Sequence, residues 1–491
     1  MTPIAMTPMT MNENPAALVP ELLLLGSSVF GLLLGAWLPR ERQRLVRLLA
    51  AGAALAGLVA TAVAATRPDE IVFGTSYAVD TPTHATRAIV LIALLGALAL
   101  SVDGTAGHRR ETEFVVLLQL GALGTMVLGG ANDLLLLAAA FLLASIPFYA
   151  LAGWDKRALS TEAAMKYYLS GAFLGVVMLA GVAVLYGVGR STAYEPLRDG
   201  LAAAPVAAVG VGLIAVLAGV LFKIGAVPAH FWVPDVADGT PPAVAAIVTT
   251  IPKIGGLVAA YRLLLVAVPA ETLDWPLLVA VLAAASMTLG NLAAFFQTTV
   301  QRLLAYSTIS QVGYLLMVVA VAGRAELAQP ALLFYLAGYA ITNLGAFAVV
   351  AELPRARTLD DYLGMARRYP ALAVALAVSL LGLIGTPPTA VFLGKLTVFT
   401  AAIDGGFAWL AVLAIVNTVA SVFYYLRWIA PTFRLPAGDD DVADAALTPV
   451  AVLTRAGTWS AATAYACAAG AVALGVVGGL LLPLLTAAPA G

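Results

Sequence analysis

Apolar residues occur along this chain in long continuous stretches that short polar segments separate. The stretches are rich in alanine and leucine and do not alternate with polar residues, which favours helices over strands. About 20 apolar residues in a helix cross the roughly 30 Å hydrocarbon core of a bilayer, where the backbone must satisfy its own hydrogen bonds. The pattern therefore predicts an all-α integral membrane protein with about fourteen transmembrane helices, in a single membrane domain over residues 1–491.

The predicted spans, numbered in chain order, lie at about 18–38, 44–65, 86–103, 112–130, 133–153, 163–187, 204–227, 241–267, 274–295, 302–322, 330–352, 370–400, 406–430 and 456–486. The twelfth span is too long for one plain helix and contains Gly385, Pro387 and Pro388. The seventh span runs into Pro228. Because an interior proline removes a backbone hydrogen bond and clashes with the preceding turn, we expect both spans to be interrupted.

Basic residues predict the topology of these spans. The loops that follow odd-numbered spans hold sixteen lysines and arginines, whereas the loops that follow even-numbered spans hold five, which are Arg67, Arg87, Arg190, Arg198 and Arg324. The positive-inside rule places the basic loops in the cytoplasm, so both termini are expected on the outer side.

Composition narrows the classes of function. The chain is 62% hydrophobic and only 11% charged, against about 25% charged residues in soluble domains. No block of lysine and arginine indicates nucleic-acid binding. The single cysteine, Cys467, excludes an internal disulfide and a cysteine-based metal cluster. Any electron-carrying metal centre is therefore expected on other chains.

Three lysines lie inside predicted spans with apolar neighbours, namely Lys223, Lys253 and Lys395. A lysine at the bilayer centre costs about 2.5–3.5 kcal/mol, so such residues usually carry function. Burial disfavours the charged amine, which can then load and release a proton. Lys223 precedes one proline break and Lys395 follows the other, a pattern typical of inverted-repeat transporters. The alternative is structural: each amine snorkels or binds carbonyls of a broken helix.

Other polar positions have two interpretations each. Glu162 and Lys166 are four residues apart, as in a helical ion pair, and form either part of a proton path or a pair at the cytoplasmic helix start. His230, after the seventh span, is either a site of proton uptake or a loop cap. Arg262 is expected to snorkel from a helix end, and Glu21 to interact with a helix dipole. The tenth span carries polar residues that line a water path or join helices, namely Tyr306, Ser307, Ser310 and Gln311.

Several stretches together resemble the antiporter-like membrane subunits of respiratory complex I. They are EAAMKYYLSGAF (162–173), FKIGAVPAHFWVPDVADGTP (222–241), PKIGGL (252–257), GNLAAFFQTTVQRLLAYSTISQVGYLL (290–316), YAITNLGAFAVV (339–350), LDDYLGMARRYP (359–370) and GTPPTAVFLGKLTVF (385–399). The L and M types usually carry a histidine before the position of Lys253. Here that run reads PPAVAAIVTT, as in the N type.

The resemblance implies two inverted five-helix repeats, at about 112–267 and 274–430, with discontinuous seventh and twelfth helices. N-terminal helices at about 18–130 precede the core of the repeats, and a C-terminal helix at 456–486 follows. It also implies a proton-translocation role for Lys223, Lys253, Lys395 and Lys166. One position departs from the family: the glutamate usual in the fifth helix is Leu142 here.

We therefore expect a non-redox subunit of a proton-translocating NADH–quinone oxidoreductase in a bacterial plasma membrane. FMN, iron–sulfur clusters and quinone are expected on other subunits, and M-type and K-type membrane subunits are the expected neighbours. Three alternatives stay open. These are a complex I-like enzyme with another electron donor, a structural subunit that does not pump because of Leu142, and a stand-alone antiporter.

Overall fold

The computed structural model of the protein describes residues 13–434 and 453–486. Its first helices are α1 (Val19–Trp37), α2 (Arg44–Ala64), α3 (Thr81–Leu100), α4 (Val102–Thr105), α5 (Glu111–Gly130), α6 (Leu134–Leu143), α7 (Ile146–Ala152), α8 (Ala158–Gly189), α9 (Tyr194–Ala202), α10 (Val206–Ile224), α11 (Trp232–Gly239) and α12 (Pro242–Arg262). The second half contains α13 (Trp275–Ala294), α14 (Val300–Ala320), α15 (Ala328–Glu352), α16 (Met365–Arg368), α17 (Pro370–Ile384), α18 (Ala390–Asp404), α19 (Ala408–Phe433) and α20 (Trp459–Leu481).

Shorter elements join these helices. A π-helical turn, Leu263–Ala267, extends α12. Turns of 3-10 helix lie at Pro15–Leu18, Arg40–Arg42, Asp360–Tyr362 and Leu482–Leu485. The strands β1 (Glu70–Val72) and β2 (Tyr77–Val79) pair antiparallel in a small hairpin between α2 and α3.

The prediction of an all-α membrane protein with about fourteen spans is confirmed. Within the described residues, thirteen helical segments are long and apolar enough to cross a bilayer. The interrupted pair α17 and α18 supplies one more crossing, at the position predicted for the twelfth span. Boundaries shift by a few residues. The third span begins at Thr81 instead of residue 86, because Asp80 accepts a hydrogen bond from the Thr83 amide and caps the helix there.

Both predicted interruptions are present and share one backbone geometry. The helix α10 ends at Ile224 and α17 ends at Ile384, and each is followed by a left-handed glycine, Gly225 (φ +76°) or Gly385 (φ +90°). The glycine amide bonds back to carbonyls of the last turn, which satisfies the helix end. The seventh span is therefore α10 plus α11, and the twelfth is α17 plus α18. The limits of the two repeats, 112–267 and 274–430, stay a prediction.

The loops assemble into two groups, as the alternation of charge predicts. On one side the Val300 amide donates to the Arg357 carbonyl at 2.9 Å and joins the ninth loop to the eleventh. On the other side the Tyr194 amide donates to the Asn132 carbonyl at 3.2 Å and joins the fourth loop to the sixth. We call these the odd face and the even face.

Two sequence-based expectations about arginines are wrong. Arg87 lies inside α3 instead of in a loop, and its guanidinium pairs with the Glu21 carboxylate at 2.7 Å. Arg262 does not snorkel; it is fully buried and pairs with Asp80 at 2.7 Å. Glu21, in the first turn of α1, therefore also neutralises a buried cation. A charge buried this deeply needs a partner of opposite sign.

Candidate functional site

Lys223 lies in the last turn of α10 and is buried, with 1% of its surface exposed. Its Nζ donates to the Ala144 carbonyl at 3.2 Å and to Ser145 Oγ, and it lies 4.7 Å from the centre of the Phe141 ring. These acceptors come from an interruption of the fifth span, between α6 and α7, that the sequence analysis did not anticipate. Pro147 follows the interruption and has no amide hydrogen to donate, which explains why the helix is not continuous there.

Lys253 lies within α12 and is fully buried. Its Nζ is 3.4 Å from the carbonyl of Val248. In a regular helix the amide of residue 252 would donate to that carbonyl, but residue 252 is a proline. The amine of Lys253 therefore occupies the acceptor that Pro252 leaves free. The Trp232 ring, with its centre 5.3 Å from the amine, covers this site from α11.

Lys395 lies within α18, and 3% of it is exposed. Its Nζ donates to the carbonyl of Ile384 at 2.9 Å, at the C-terminal end of α17. The amine is also 3.4 Å from Thr418 Oγ1 and 4.2 Å from the centre of the Tyr314 ring. A cation is favoured at the C-terminal end of a helix, where carbonyls lack amide partners.

The three sites have one arrangement in common. Each amine binds a carbonyl that a helix interruption or a proline has freed, and each lies against an aromatic ring. None of the three lysines takes part in an ion pair within the described part of the chain. Neutral acceptors tolerate both the protonated and the neutral amine, whereas a carboxylate would favour the protonated form.

Polar side chains of α15 connect the helix of Lys253 to α14. Asn343 Nδ2 donates to Thr249 Oγ1 at 3.0 Å and to Thr250 Oγ1 at 2.8 Å, one turn before Lys253. Tyr339 Oη donates to the Thr249 carbonyl at 2.8 Å and lies 3.1 Å from Thr308 Oγ1 on α14. All of these groups are buried.

A second group of hydrogen-bonded side chains on α14 and α15 reaches the break beside Lys395. Gln311 Nε2 donates to the Leu383 carbonyl at 2.8 Å, and Tyr335 Oη donates to Gln311 Oε1 at 2.5 Å. Leu383 precedes Ile384, whose carbonyl binds Lys395. Polar side chains of α14 and α15 thus contact α12 near Lys253 and the end of α17 beside Lys395. Ser307, Ser310 and Gln311 of the tenth span bond groups on other helices, as one of the two interpretations held.

The remaining predicted residues are Lys166 and Glu162, which lie at the odd face, and His230, which lies in the break of the seventh span between α10 and α11. The amine of Lys166 is 2.8 Å from a carboxylate oxygen of both Glu162 and Asp235, and Asp235 also pairs with Arg302 at 3.0 Å. Lys166 and Glu162 are largely exposed, so their ion pair lies at the surface of the molecule. A cavity of about 270 Å³ opens between these charges. His230 is half-buried between α10 and α11, and the structure shows no hydrogen-bond partner for its Nδ1.

Sequence reasoning missed Ser145 and Pro252 as parts of the site. A usable signal was present in both cases, because a proline inside a predicted span frees a carbonyl one turn earlier. Pro147 marks the first interruption, and Pro252 stands directly before Lys253. Leu142, at the position of the glutamate usual in the family, is 43% exposed. Glu162 pairs with Lys166.

A family profile described as NADH:quinone oxidoreductase/Mrp antiporter, TM matches residues 131–421 of the chain. A relative from Streptomyces griseus subsp. griseus, NADH-quinone oxidoreductase subunit N 1, is 63% identical over 479 residues, or 98% of this chain and 99% of the relative. F(420)H(2) dehydrogenase subunit N from Methanosarcina mazei is 33% identical over 442 residues, or 85% of this chain and 89% of that relative.

A solved structure has the same fold. A chain of respiratory complex I from Thermus thermophilus with bound Aureothin matches with a TM-score of 0.80 at 32% identity. The match covers 96% of this chain and 100% of the other.

Proposed function

The chain belongs to the membrane-subunit family of NADH:quinone oxidoreductases and Mrp antiporters, and from that membership we propose that Lys223, Lys253 and Lys395 move protons through it. It is a subunit of NADH–quinone oxidoreductase, in which electron transfer from NADH to quinone is coupled to proton translocation. Its sequence identity over nearly the full length of an N-type subunit and its fold both support this function.

One observation carries the role of the lysines. Three amines are buried in the interior of the spans with neutral acceptors, and two groups of hydrogen-bonded side chains on α14 and α15 lie between two of these amines. Because no carboxylate among the described residues holds them charged, each can change its protonation state at moderate cost. Lys166 and Glu162 serve proton uptake from the odd face, where a cavity reaches their charges, and His230 serves the same path from the break of the seventh span.

Two alternatives differ in their support. A donor other than NADH is supported by the F(420)H(2) dehydrogenase relative, but at 33% identity against 63% for the NADH-linked one. A structural subunit without proton transport is supported by Leu142, which removes the expected carboxylate beside Lys223. The hydrogen bonds that Lys223 makes to Ala144 and Ser145 favour a lysine that transports protons, because they stabilise its amine without that carboxylate.

Other subunits complete the enzyme. The relatives and the solved structure are subunits of multi-subunit membrane complexes, and this chain has other membrane subunits as partners. Its immediate neighbours are of the M and K types, in a bacterial plasma membrane with the odd face toward the cytoplasm and both termini outside. The chain itself contributes no redox centre; FMN, iron–sulfur clusters and quinone belong to other subunits.

Replacing Lys395 in the whole complex tests this proposal. Lys395→Met keeps the approximate volume and removes the amine. In sealed membrane vesicles we expect fewer protons moved per NADH oxidised, with NADH oxidation measured in the same samples. The matched control is Lys156→Met, the same exchange at an exposed loop position. An unchanged proton-to-NADH ratio in Lys395→Met would instead identify the chain as a structural subunit.

A further inference from the structure

The interruption of the fifth span places a hydroxyl group directly on the amine of Lys223. Ser145 Oγ accepts a hydrogen bond from Lys223 Nζ and donates its own hydrogen to the Phe141 carbonyl, four residues earlier. The Ala144 carbonyl accepts a second hydrogen bond from the amine at 3.2 Å. Ser145 is completely buried, so water does not compete for these bonds in the structure.

Lys223 has no ion-pair partner among the described residues, which makes its hydrogen bond to this hydroxyl more important. No carboxylate pairs with the lysine within residues 13–434 and 453–486. Lys253 is the other amine nearby, on α12, where Gly256 leaves room for the Lys223 side chain to pack. The remaining neighbour of the amine is the face of the Phe141 ring. Ser145 is therefore the one side-chain hydrogen-bonding partner that the described structure gives Lys223.

A hydroxyl has a property that an ionised carboxylate lacks. It carries one donor and two acceptor positions, and its hydrogen can rotate, whereas the carboxylate only accepts. Facing an ammonium group, Ser145 accepts a hydrogen bond and donates to Phe141. Facing a neutral amine, it turns its hydrogen toward the nitrogen lone pair, while the Ala144 carbonyl keeps its bond to the amine. In both protonation states the amine therefore keeps its hydrogen bonds to Ser145 and to the Ala144 carbonyl.

We propose that Ser145 is a positioning residue for Lys223 that takes the place of the absent fifth-span carboxylate and accommodates both protonation states of the amine. The proposal rests on the proposed function, in which Lys223 gains and loses a proton. Ser145 keeps its own proton throughout and changes only the direction of its hydrogen bond. The proton that Lys223 exchanges comes from and leaves to other groups.

Substitutions at Ser145 in the whole complex, reconstituted in sealed vesicles, test the proposal by protons moved per NADH oxidised. Lys223→Met defines the contribution of the lysine. We expect Ser145→Ala to lower the ratio as far as Lys223→Met does, and Ser145→Thr, which keeps the hydroxyl, to restore the parent value. Ser145→Cys keeps the approximate side-chain volume, but a thiol is only a weak hydrogen-bond donor and acceptor, so this variant should also lower the ratio. It provides the same test if the Ser145→Ala complex does not assemble.

The matched control is Ser28→Ala. Ser28 is buried and also donates to a carbonyl four residues earlier, that of Leu24 at 2.8 Å, but it contacts no lysine. Its ratio should equal that of the parent. A parent-like ratio in Ser145→Ala or Ser145→Cys, with a reduced ratio in Lys223→Met, would overturn the role of Ser145 and leave the proposed function intact. A parent-like ratio in Lys223→Met as well would overturn both.

Discussion

The buried lysines in the middle of the spans differ from the buried arginines near helix ends in the partners that they have. Each of three arginines pairs with a carboxylate: Arg47 with Glu111 at 3.2 Å, Arg87 with Glu21 at 2.7 Å, and Arg262 with Asp80 at 2.7 Å. The lysines 223, 253 and 395 bind backbone carbonyls and hydroxyl groups instead.

The difference follows from the chemistry of the two side chains. A guanidinium stays protonated in proteins, so its burial requires a permanent countercharge. An amine can lose its proton when buried, so neutral acceptors are sufficient. The arginine pairs therefore hold the ends of the spans together, and the lysines leave the interior free to change its charge. If the arginine pairs stabilise the fold and the lysines transport protons, variants at the two kinds of site should differ in stability and in transport.

Removing a carboxylate from an arginine pair should cost the most stability. Although burial opposes its charge, the Arg262 guanidinium holds the pKa of Asp80 below its usual value. Asp80→Asn keeps an oxygen to cap α3 but removes the carboxylate that pairs with the buried Arg262 guanidinium. We expect a loss of about 3–5 kcal/mol, measured as the free energy of unfolding of the purified complex in detergent.

The control for Asp80→Asn is Asp155→Asn. Asp155 pairs with Arg157 at the surface, where the guanidinium is 60% exposed, and such pairs contribute about 0–1 kcal/mol. Similar losses in both variants would contradict the special position of the buried arginines.

Removing a lysine amine should cost much less. Lys253→Met relieves the burial of an amine, worth up to about 2.5–3.5 kcal/mol, and leaves the Val248 carbonyl without its donor, worth about 1–3 kcal/mol. The two terms oppose each other, so the free energy of unfolding should change by less than in Asp80→Asn, while proton translocation is lost. A loss of stability as large as that of Asp80→Asn, with translocation intact, would make Lys253 structural and remove the distinction.

This contrast also shows what the sequence could and could not predict. Lys223, Lys253 and Lys395 were identifiable because a charge within an apolar stretch is conspicuous in a sequence. The breaks at Gly225 and Gly385 were identifiable because glycine and proline act locally. Hydropathy predicted the fourteen spans, and the basic residues of the loops predicted that successive loops lie on alternate sides of the membrane. Each of these signals depends on a few adjacent residues.

The partners of the buried charges were not predictable in this way. Asp80 and Arg262 are 182 residues apart in the chain, and neither has a local pattern that indicates the other. Arg262 therefore looked like a snorkelling residue at a helix end. The side-chain acceptor of Lys223 is Ser145 in the fifth span. The family resemblance pointed to position 142 of that span instead. Local patterns indicate that a charge is buried, but only the packing of distant helices shows what neutralises it.

The glycine of the twelfth-span break should have a smaller effect on stability, but one that reaches Lys395. A Cβ at residue 385 would lie 3.0 Å from Lys395 Cδ, and the left-handed backbone costs about 1–2 kcal/mol for a residue other than glycine. We expect Gly385→Ala to lower the free energy of unfolding by at least that amount and to reduce the protons moved per NADH. The control, Gly187→Ala, lies in a helix with nothing within 4 Å, and should stabilise by about 0.5–1 kcal/mol. Equal melting behaviour of the two variants would speak against a fixed break at this position.

The smallest effect is expected in the polar side chains of α14 and α15 that lie between Lys253 and Lys395, which we call the polar line. Tyr339→Phe removes the hydroxyl that bonds the Thr249 carbonyl and approaches Thr308, at a cost of about 0.5–1.5 kcal/mol. Tyr186→Phe, at a 54% exposed position, is the matched control and should leave stability unchanged. If the line conducts protons, Tyr339→Phe should slow proton translocation more than NADH oxidation, because the amines at its ends keep their acceptors while the groups between them are separated. Equal slowing of both rates would mean that Tyr339 only joins α12, α14 and α15. The transport role that distinguishes the lysines from the arginine pairs would then not extend to the side chains between them.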